Sequence, residues 1–198
     1  MAWLAREVDA AGGNVSVVGF VVSDLTRLGP HDSPVLGDLT WLRAHRHEFD
    51  ALALGIGTPG PRFRLPEELV DIGASWPSLI HPSVRMDSSC TVTDGVQVCA
   101  GTMMTVNVRL EPYSMVNLSC TLGHEAVLGR GSVLNPTVNL SGGVKIGERV
   151  LVGTGAQILQ YLEVGAGATV GAGAVVVKAV PEGVTVAGVP ARPMAPRS

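Results

Sequence analysis

The chain has 198 residues, 46% hydrophobic but only 4% aromatic, with 25 Gly, 13 Pro and a formal net charge of −3. That hydrophobic fraction is too high for disorder, the glycines follow no Gly-X-Y period, and the weak acidity leaves no electrostatic footprint for nucleic acid. No apolar run approaches the roughly 20 residues of a membrane span, residues 1–9 lack a secretory signal, and three Cys without CxxC spacing offer neither a disulfide framework nor a zinc knuckle, so a soluble cytoplasmic protein is expected.

Six of the eight aromatic residues precede position 78, which divides the chain into regions of different architecture. The first, residues 1–77, alternates helical and strand-like stretches. Leu4 to Ala11 predicts a helix ended by Gly12-Gly13, and Val15 to Val22 a buried strand followed by Ser23-Asp24. Asp38 to Phe49 predicts a second helix, with Asp38 as its N-cap and Leu42 on its apolar face. Ala51 to Ile56 reads as a second strand and Pro66 to Ile72 as a third helix with Pro in its first turn. That alternation indicates a small parallel α/β unit.

From Ile80 the pattern changes. Every sixth residue through Val176 is aliphatic or Met, seventeen positions without an insertion. Four residues after each of these the side chain is usually small, as at Cys90, Ser114, Cys120, Ala126 and Ser132. A period of six matches neither a helix nor a half-buried strand; it is the hexapeptide repeat of a parallel β-helix. Three hexapeptides close one triangular coil, with the aliphatic residue inside and residues tolerant of positive φ at the corners. The repeat region spans 78–180, between five and six coils, and 181–198 reads as a C-terminal tail.

A coil of three hexapeptides brings distant residues together. His81 stands where the two regions meet and suits a junction role. His124 lies two residues beyond the inward Leu122, on a corner or the outer surface. One coil later Gly142 stacks on it and Gly143 on Glu125, while Val106 and Asn107 stand one coil earlier. Gly142 lacks a side chain and carries an N–H, which reads as room beside a base together with a donor for a carbonyl oxygen. Cys90 and Cys120 fall on the small internal positions as packed thiols; Cys99 is left open.

His124-Glu125 with Val127-Leu128-Gly129, then Ser141-Gly142-Gly143-Val144-Lys145-Ile146-Gly147, resembles the pattern of sugar acetyltransferases among the hexapeptide-repeat acyltransferases. Val186-Ala187-Gly188-Val189-Pro190-Ala191-Arg192 is similar to the segment that closes those enzymes. The subfamily modifies sialic acid hydroxyls or the amine of nucleotide-linked 4-amino sugars. The resemblance implies a left-handed β-helix preceded by a small Rossmann-like domain, and a homotrimer. It implies acetyl-CoA as co-substrate with no metal, bound in grooves between neighbouring prisms, with Gly142, Thr154, Ala172 and Lys178 on the matching positions and Arg192 towards a CoA phosphate. His124 is then the general base, since an imidazole of unperturbed pKa near 6.5 suits that task. Glu125 would orient the ring or stabilise the imidazolium, and the Gly142 N–H would steady the oxyanion. Ser23 and Asp24 are the candidates for contact with the sugar or amino-sugar acceptor.

The chain departs from the family at three points. The first strand and glycine-rich turn of the Rossmann-like domain are missing, the strand ending at Val22 lacks paired acidic residues, and Val133 replaces a further histidine. Either the gene product begins further upstream or the acceptor site is remodelled. The lost strand leaves an edge beside Val15 to Val22 that should be covered or paired. Two other functions are weighed against acetyl transfer: a structural prism that has lost its acceptor site, and a prism-type carbonic anhydrase. The latter needs three metal-binding His, and the repeats hold only His81 and His124.

Overall fold

A computed structural model describes residues 1–27 and 34–194. From Leu79 onward the chain winds as a triangular prism of two-residue strands, each paired in parallel with the strand one coil away, as in Val127↔Lys145 and Leu128↔Ile146. Strands such as Gln97–Val98, Met115–Val116 and Val133–Leu134 build face 1. Met103–Met104, Thr121–Leu122, Asn139–Leu140 and Gln157–Ile158 lie on face 2. Arg109–Leu110, Val127–Leu128 and Lys145–Ile146 lie on face 3. This is the left-handed β-helix expected from the period and the resemblance.

The interior explains the period. Leu110, Val116, Leu128, Leu134 and Val152 are fully buried, and the small residues Ser114, Cys120, Ala126, Ser132 and Ala156 are buried beside them. Cys120 shares this core, and burial pushes its thiol pKa up to about 11. The first coil is less well covered, with Met86 43% exposed and Ile80 and Val92 only partly buried, because no coil precedes it. Beyond Val176 the stack continues with a shorter step: Thr185–Ala187 pairs with Thr169–Val170, and Arg192–Pro193 folds back antiparallel on it.

The amino-terminal unit covers face 1. Helix α1 (Ala2–Ala10) buries Leu4 and Ala5 against Leu79, Met115, Val133 and Cys99. Val133, where the family has a histidine, is therefore a contact between the two regions. Burial raises the Cys99 pKa as well. Strand β1 is only Phe20–Val21, paired in parallel with β2 (Val35–Gly37), which the sequence reading did not find. The expected strand from Val15 to Val22 shrinks because residues 15–19 have no ladder partner.

Helix α2 (Leu39–Ala44) starts as predicted, with Asp38 accepting from the Thr40 and Trp41 amides at 2.8 and 3.0 Å. It stops short of Phe49, where His45 stacks on Trp41 at 4.4 Å between ring centroids. Ala51 to Ile56 forms one bridge, Ala51↔Ser75, instead of a strand. The third helix is also corrected: α3 is Pro59–Glu68, with Pro59 setting the first turn and Pro66 inside the helix, and Val70–Ile72 follows as a short 3₁₀ turn.

Arg62 of α3 locks the unit to the prism. It is fully buried, and its guanidinium donates to Ile56 O at 2.8 Å, Tyr113 O at 2.9 Å and Gln97 Oε1 at 3.0 Å. Burial lowers its pKa to about 10. Nearby, Arg130 pairs with Glu67 at 2.8 Å and lies over the Phe63 ring, while the backbone and Cβ of Phe63 approach Gly131.

Candidate active site

His124 opens the corner between faces 2 and 3. Its backbone is held from both neighbouring coils: the Gly143 N–H donates to His124 O at 2.7 Å, and the Glu125 N–H to Val106 O at 2.9 Å. Glu125 takes the left-handed conformation that turns the chain, φ 60°. With the backbone fixed, the imidazole extends along the prism axis over the next coil.

There it lies on Gly142. A Cβ built on Gly142 would stand 2.1 Å from His124 Nε2, with Cε1 at 2.5 Å and Cδ2 at 2.6 Å. The room left by the missing side chain, read from the sequence as open space beside the base, is filled by the imidazole itself. Glycine at 142 is what lets the ring take this position. The Gly142 N–H meets no acceptor among the described residues, as at the corresponding corners Thr154 and Ala172.

The Glu125 carboxylate lies 3.7 Å from His124 Nδ1, beyond hydrogen-bond reach, and becomes an ion-pair partner only when the ring is protonated. Both side chains are at least half exposed. Tyr161, absent from the sequence reading, completes the corner. Its ring covers Gly143 and meets the His124 ring edge-on at 6.3 Å between centroids. The signal was there: Tyr161 follows Gly143 by one coil, as Tyr113 follows and covers Gly95.

The remaining candidates border face 2 or its far end. Lys178 is exposed three coils beyond His124 in the same corner column, roughly 14 Å along the prism at the usual strand spacing. Thr154 and Ala172 are exposed on the opposite border, one coil apart, where the Gly173 N–H donates to Thr154 O at 2.8 Å. Arg192 sits on the fold-back strand beside Ala187, which packs near Gly171. Between the borders runs a polar ladder that the sequence reading missed: Thr121 Oγ1 with Asn139 Oδ1, and Asn139 Nδ2 donating to Gln157 Oε1 at 3.0 Å. It adjoins a groove that reaches Gly123 and Ser141 beside His124.

Ser23 and Asp24 follow β1 in the amino-terminal unit. Asp24 accepts from the Thr26 hydroxyl at 2.6 Å and amide at 2.9 Å, which hold its carboxyl below the ordinary range. No hydrogen bond or ion pair among the described residues joins either of them to the prism. No group of three or more His, Cys, Asp or Glu among the described residues is placed to hold a metal ion, and no helix is long and apolar enough to cross a membrane.

No family model matches the sequence. Among solved structures, the chain is similar to perosamine N-acetyltransferase from Caulobacter crescentus, solved with CoA and GDP-perosamine. That match has a TM-score of 0.90 and 32% identity, covering 97% of this chain and 90% of that one. It is also similar to the acetyltransferase domain of PglB from Neisseria gonorrhoeae in complex with acetyl coenzyme A, with a TM-score of 0.86 and 32% identity over 96% and 92% of the two chains. Serine acetyltransferase from Escherichia coli is 38% identical over 105 residues, 45% of this chain and 38% of that enzyme. The chain thus spans well under half the length of that curated relative.

Proposed function

The chain belongs to the hexapeptide-repeat acyltransferases, and on that premise we propose that it transfers acetyl from acetyl-CoA to the amine of a nucleotide-linked amino sugar, with His124 as general base. The observation that carries the reading is the half-exposed imidazole seated on Gly142, at the border of the groove on face 2.

Acetyl-CoA supplies an activated thioester. Nε2 of His124, the ring nitrogen remote from Glu125, takes the proton of the attacking amine as the C–N bond forms. It returns that proton to the departing thiolate as the C–S bond breaks. The Glu125 carboxylate is close enough to favour the transient imidazolium. The unbonded Gly142 N–H is the donor for the carbonyl oxygen as it gains charge. The acyl donor would run along face 2 between Gly142 and Lys178 on one border and Thr154 and Ala172 on the other, with Arg192 receiving a phosphate. Ser23 and Asp24 would meet the acceptor. The two solved relatives, one with GDP-perosamine and CoA and one with acetyl coenzyme A, support this choice of donor and acceptor.

A homotrimer belongs to the same reading. The exposed apolar side chains Met103, Val106, Leu118, Leu159 and Tyr161 all lie on face 2 or its two borders, where a neighbouring prism would cover them. Light scattering checks the assembly.

The test is thiol release from acetyl-CoA with a panel of nucleotide 4-amino sugars, sialic acids and L-serine. Transfer to a nucleotide amino sugar is expected, falling about 10²–10⁴-fold in His124→Ala while acetyl-CoA binding and oligomeric state are kept. Unchanged turnover in that variant would sink the reading. A protein that does not bind acetyl-CoA at all would instead be a structural prism.

A further inference from the structure

No hydrogen bond holds the His124 ring. The rings of His45 and His81 are each tied through Nδ1, to Trp41 O at 2.9 Å and to Ser83 Oγ at 2.8 Å. At His124 the Glu125 carboxylate is 3.7 Å from Nδ1, outside bonding reach, and neither ring nitrogen has a hydrogen-bond partner among the described residues. An orientation that no hydrogen bond fixes has to come from packing. The corner supplies two contacts, Gly142 beneath the ring and Tyr161 beside it.

The two rings arrive from opposite directions. His124 reaches forward one coil and lies on Gly142, while Tyr161, two coils beyond Glu125, reaches back one coil and lies on Gly143. A Cβ built on Gly143 would stand 2.4 Å from Tyr161 Cδ1 and 2.7 Å from Cε1. The Tyr161 N–H donates to Gly142 O at 2.9 Å, joining its coil to that of the glycines. The rings thus meet over two adjacent glycines, 6.3 Å apart between centroids and 62° between planes, within the range of an edge-to-face pair.

Tyr161 takes this position against its backbone preference. Its φ is 59°, in the left-handed region that a bulky side chain rarely adopts. Among the described non-glycine residues with positive φ, only Tyr113 and Tyr161 are aromatic. At Tyr113 the surroundings account for it. Trp76 meets its ring edge-on at 5.6 Å, the Arg130 guanidinium lies 5.5 Å from its centroid, and Arg62 donates to its carbonyl, so Tyr113 joins the amino-terminal unit to the prism. Tyr161 joins no second unit. It is 71% exposed, and its ring lies against Gly143 and the His124 imidazole. Backbone held out of its preferred region in this way gathers at functional sites.

We propose that Tyr161 is the positioning residue of His124: its ring walls the corner on the face 3 side and keeps the imidazole seated on Gly142. Tyr161 acts through the imidazole, by narrowing the rotamers open to it, so that Nε2 is presented to the attacking amine in one orientation. The role in catalysis rests on the reading of His124 as general base, whereas the contact between the rings does not.

Tyr161→Gly and Tyr161→Phe test this, each made alone and on the His124→Ala background. Glycine accepts a φ of 59° without a Cβ penalty, so Tyr161→Gly should fold, keep the parent's oligomeric state and hold Tm within about 2 °C. Its kcat for acetyl transfer should fall about 10-fold with KM for acetyl-CoA nearly unchanged, the effect of losing one edge-to-face pair. Tyr161→Phe should keep the parent rate, and on the His124→Ala background Tyr161→Gly should have no further effect. Nuclear magnetic resonance on isotope-labelled histidine reads the ring without turnover. Cross-peaks between the His124 and Tyr161 rings should be present in the parent, and the His124 ring resonances should shift in Tyr161→Gly and stay in place in Tyr161→Phe. A parent that transfers no acetyl group fails the acetyl-transfer reading, and those resonances then decide the positioning role by themselves. Absent cross-peaks in the parent overturn the proposal, as does a Tyr161→Gly rate within about twofold of the parent. A Phe variant as slow as the Gly variant, or an equal loss on both backgrounds, overturns it too. So does a Tyr161→Gly protein that loses its assembly, which would assign the ring to the interface.

Discussion

Gly142→Ala isolates the geometry of the His124 corner from the fold that carries it. The new Cβ would stand 2.1 Å from His124 Nε2, where ordinary contact begins at 3.4 Å, so the ring must retreat or swing off the coil. The backbone need not object, because Gly142, unlike Gly143 with φ 68°, is not in the left-handed region. His124 is half exposed, so the ring can swing into solvent with little loss of packing. A displacement of about 1 Å at a reacting group, the scale of this clash, costs on the order of 10²-fold in rate, about 2.7 kcal/mol in the barrier. Gly142→Ala should therefore lose about 10²-fold in kcat/KM for acetyl transfer, read by thiol release, while Tm stays within about 2 °C of the parent. Activity within a factor of about three of the parent, at unchanged Tm, would refute the argument that the seat on Gly142 positions the base. A large fall in Tm would show that the glycine serves the coil and not the ring.

Three further outcomes test the framework around that site. Arg62→Met removes the donors that satisfy the carbonyls of Ile56 and Tyr113 and the Gln97 amide; it should cost about 3 kcal/mol or more, with the amino-terminal unit melting first in thermal unfolding. Iodoacetamide followed by peptide mass analysis should label Cys90 in the native protein, leaving Cys99 and Cys120 unmodified until unfolding, because burial raises both of their pKa values. Rapid native labelling of Cys120 would contradict its place in the core. At the α2 cap, the hydrogen bond from the Trp41 amide leads the causes that depress the Asp38 pKa. Its contribution should be complete above the unfolded carboxyl pKa of about 4 and be lost as pH falls through the depressed folded value. Urea midpoints between pH 2 and 6 should show a shallower acid dependence for Asp38→Asn, which keeps an acceptor at the cap but does not titrate.

The prism was legible because its contacts obey a fixed offset. Every coil repeats after three hexapeptides, so arithmetic on the chain places Gly142 against His124 and Tyr161 against Gly143, and the ladder pairs bear this out in Thr121↔Asn139 and Asn139↔Gln157. The same arithmetic puts Thr121, Asn139 and Gln157 in one outward column, each one coil beyond the last. The amino-terminal unit has no such rule. Whether Val15 to Val22 or Ala51 to Ile56 forms a strand depends on a partner far away in sequence, and neither composition nor periodicity reports its absence.

By itself, then, the sequence determined the coil, its inward aliphatic residues, and which side chains share a corner, since each of these follows from a local period repeated without interruption. The tertiary structure alone decided what those neighbours do with the space between them. The His124 imidazole occupies the gap at Gly142, because a side chain's rotamer is selected by the atoms around it and not by its register. It likewise decided that face 1 is closed by α1 and Arg62, leaving the groove beside His124 on face 2.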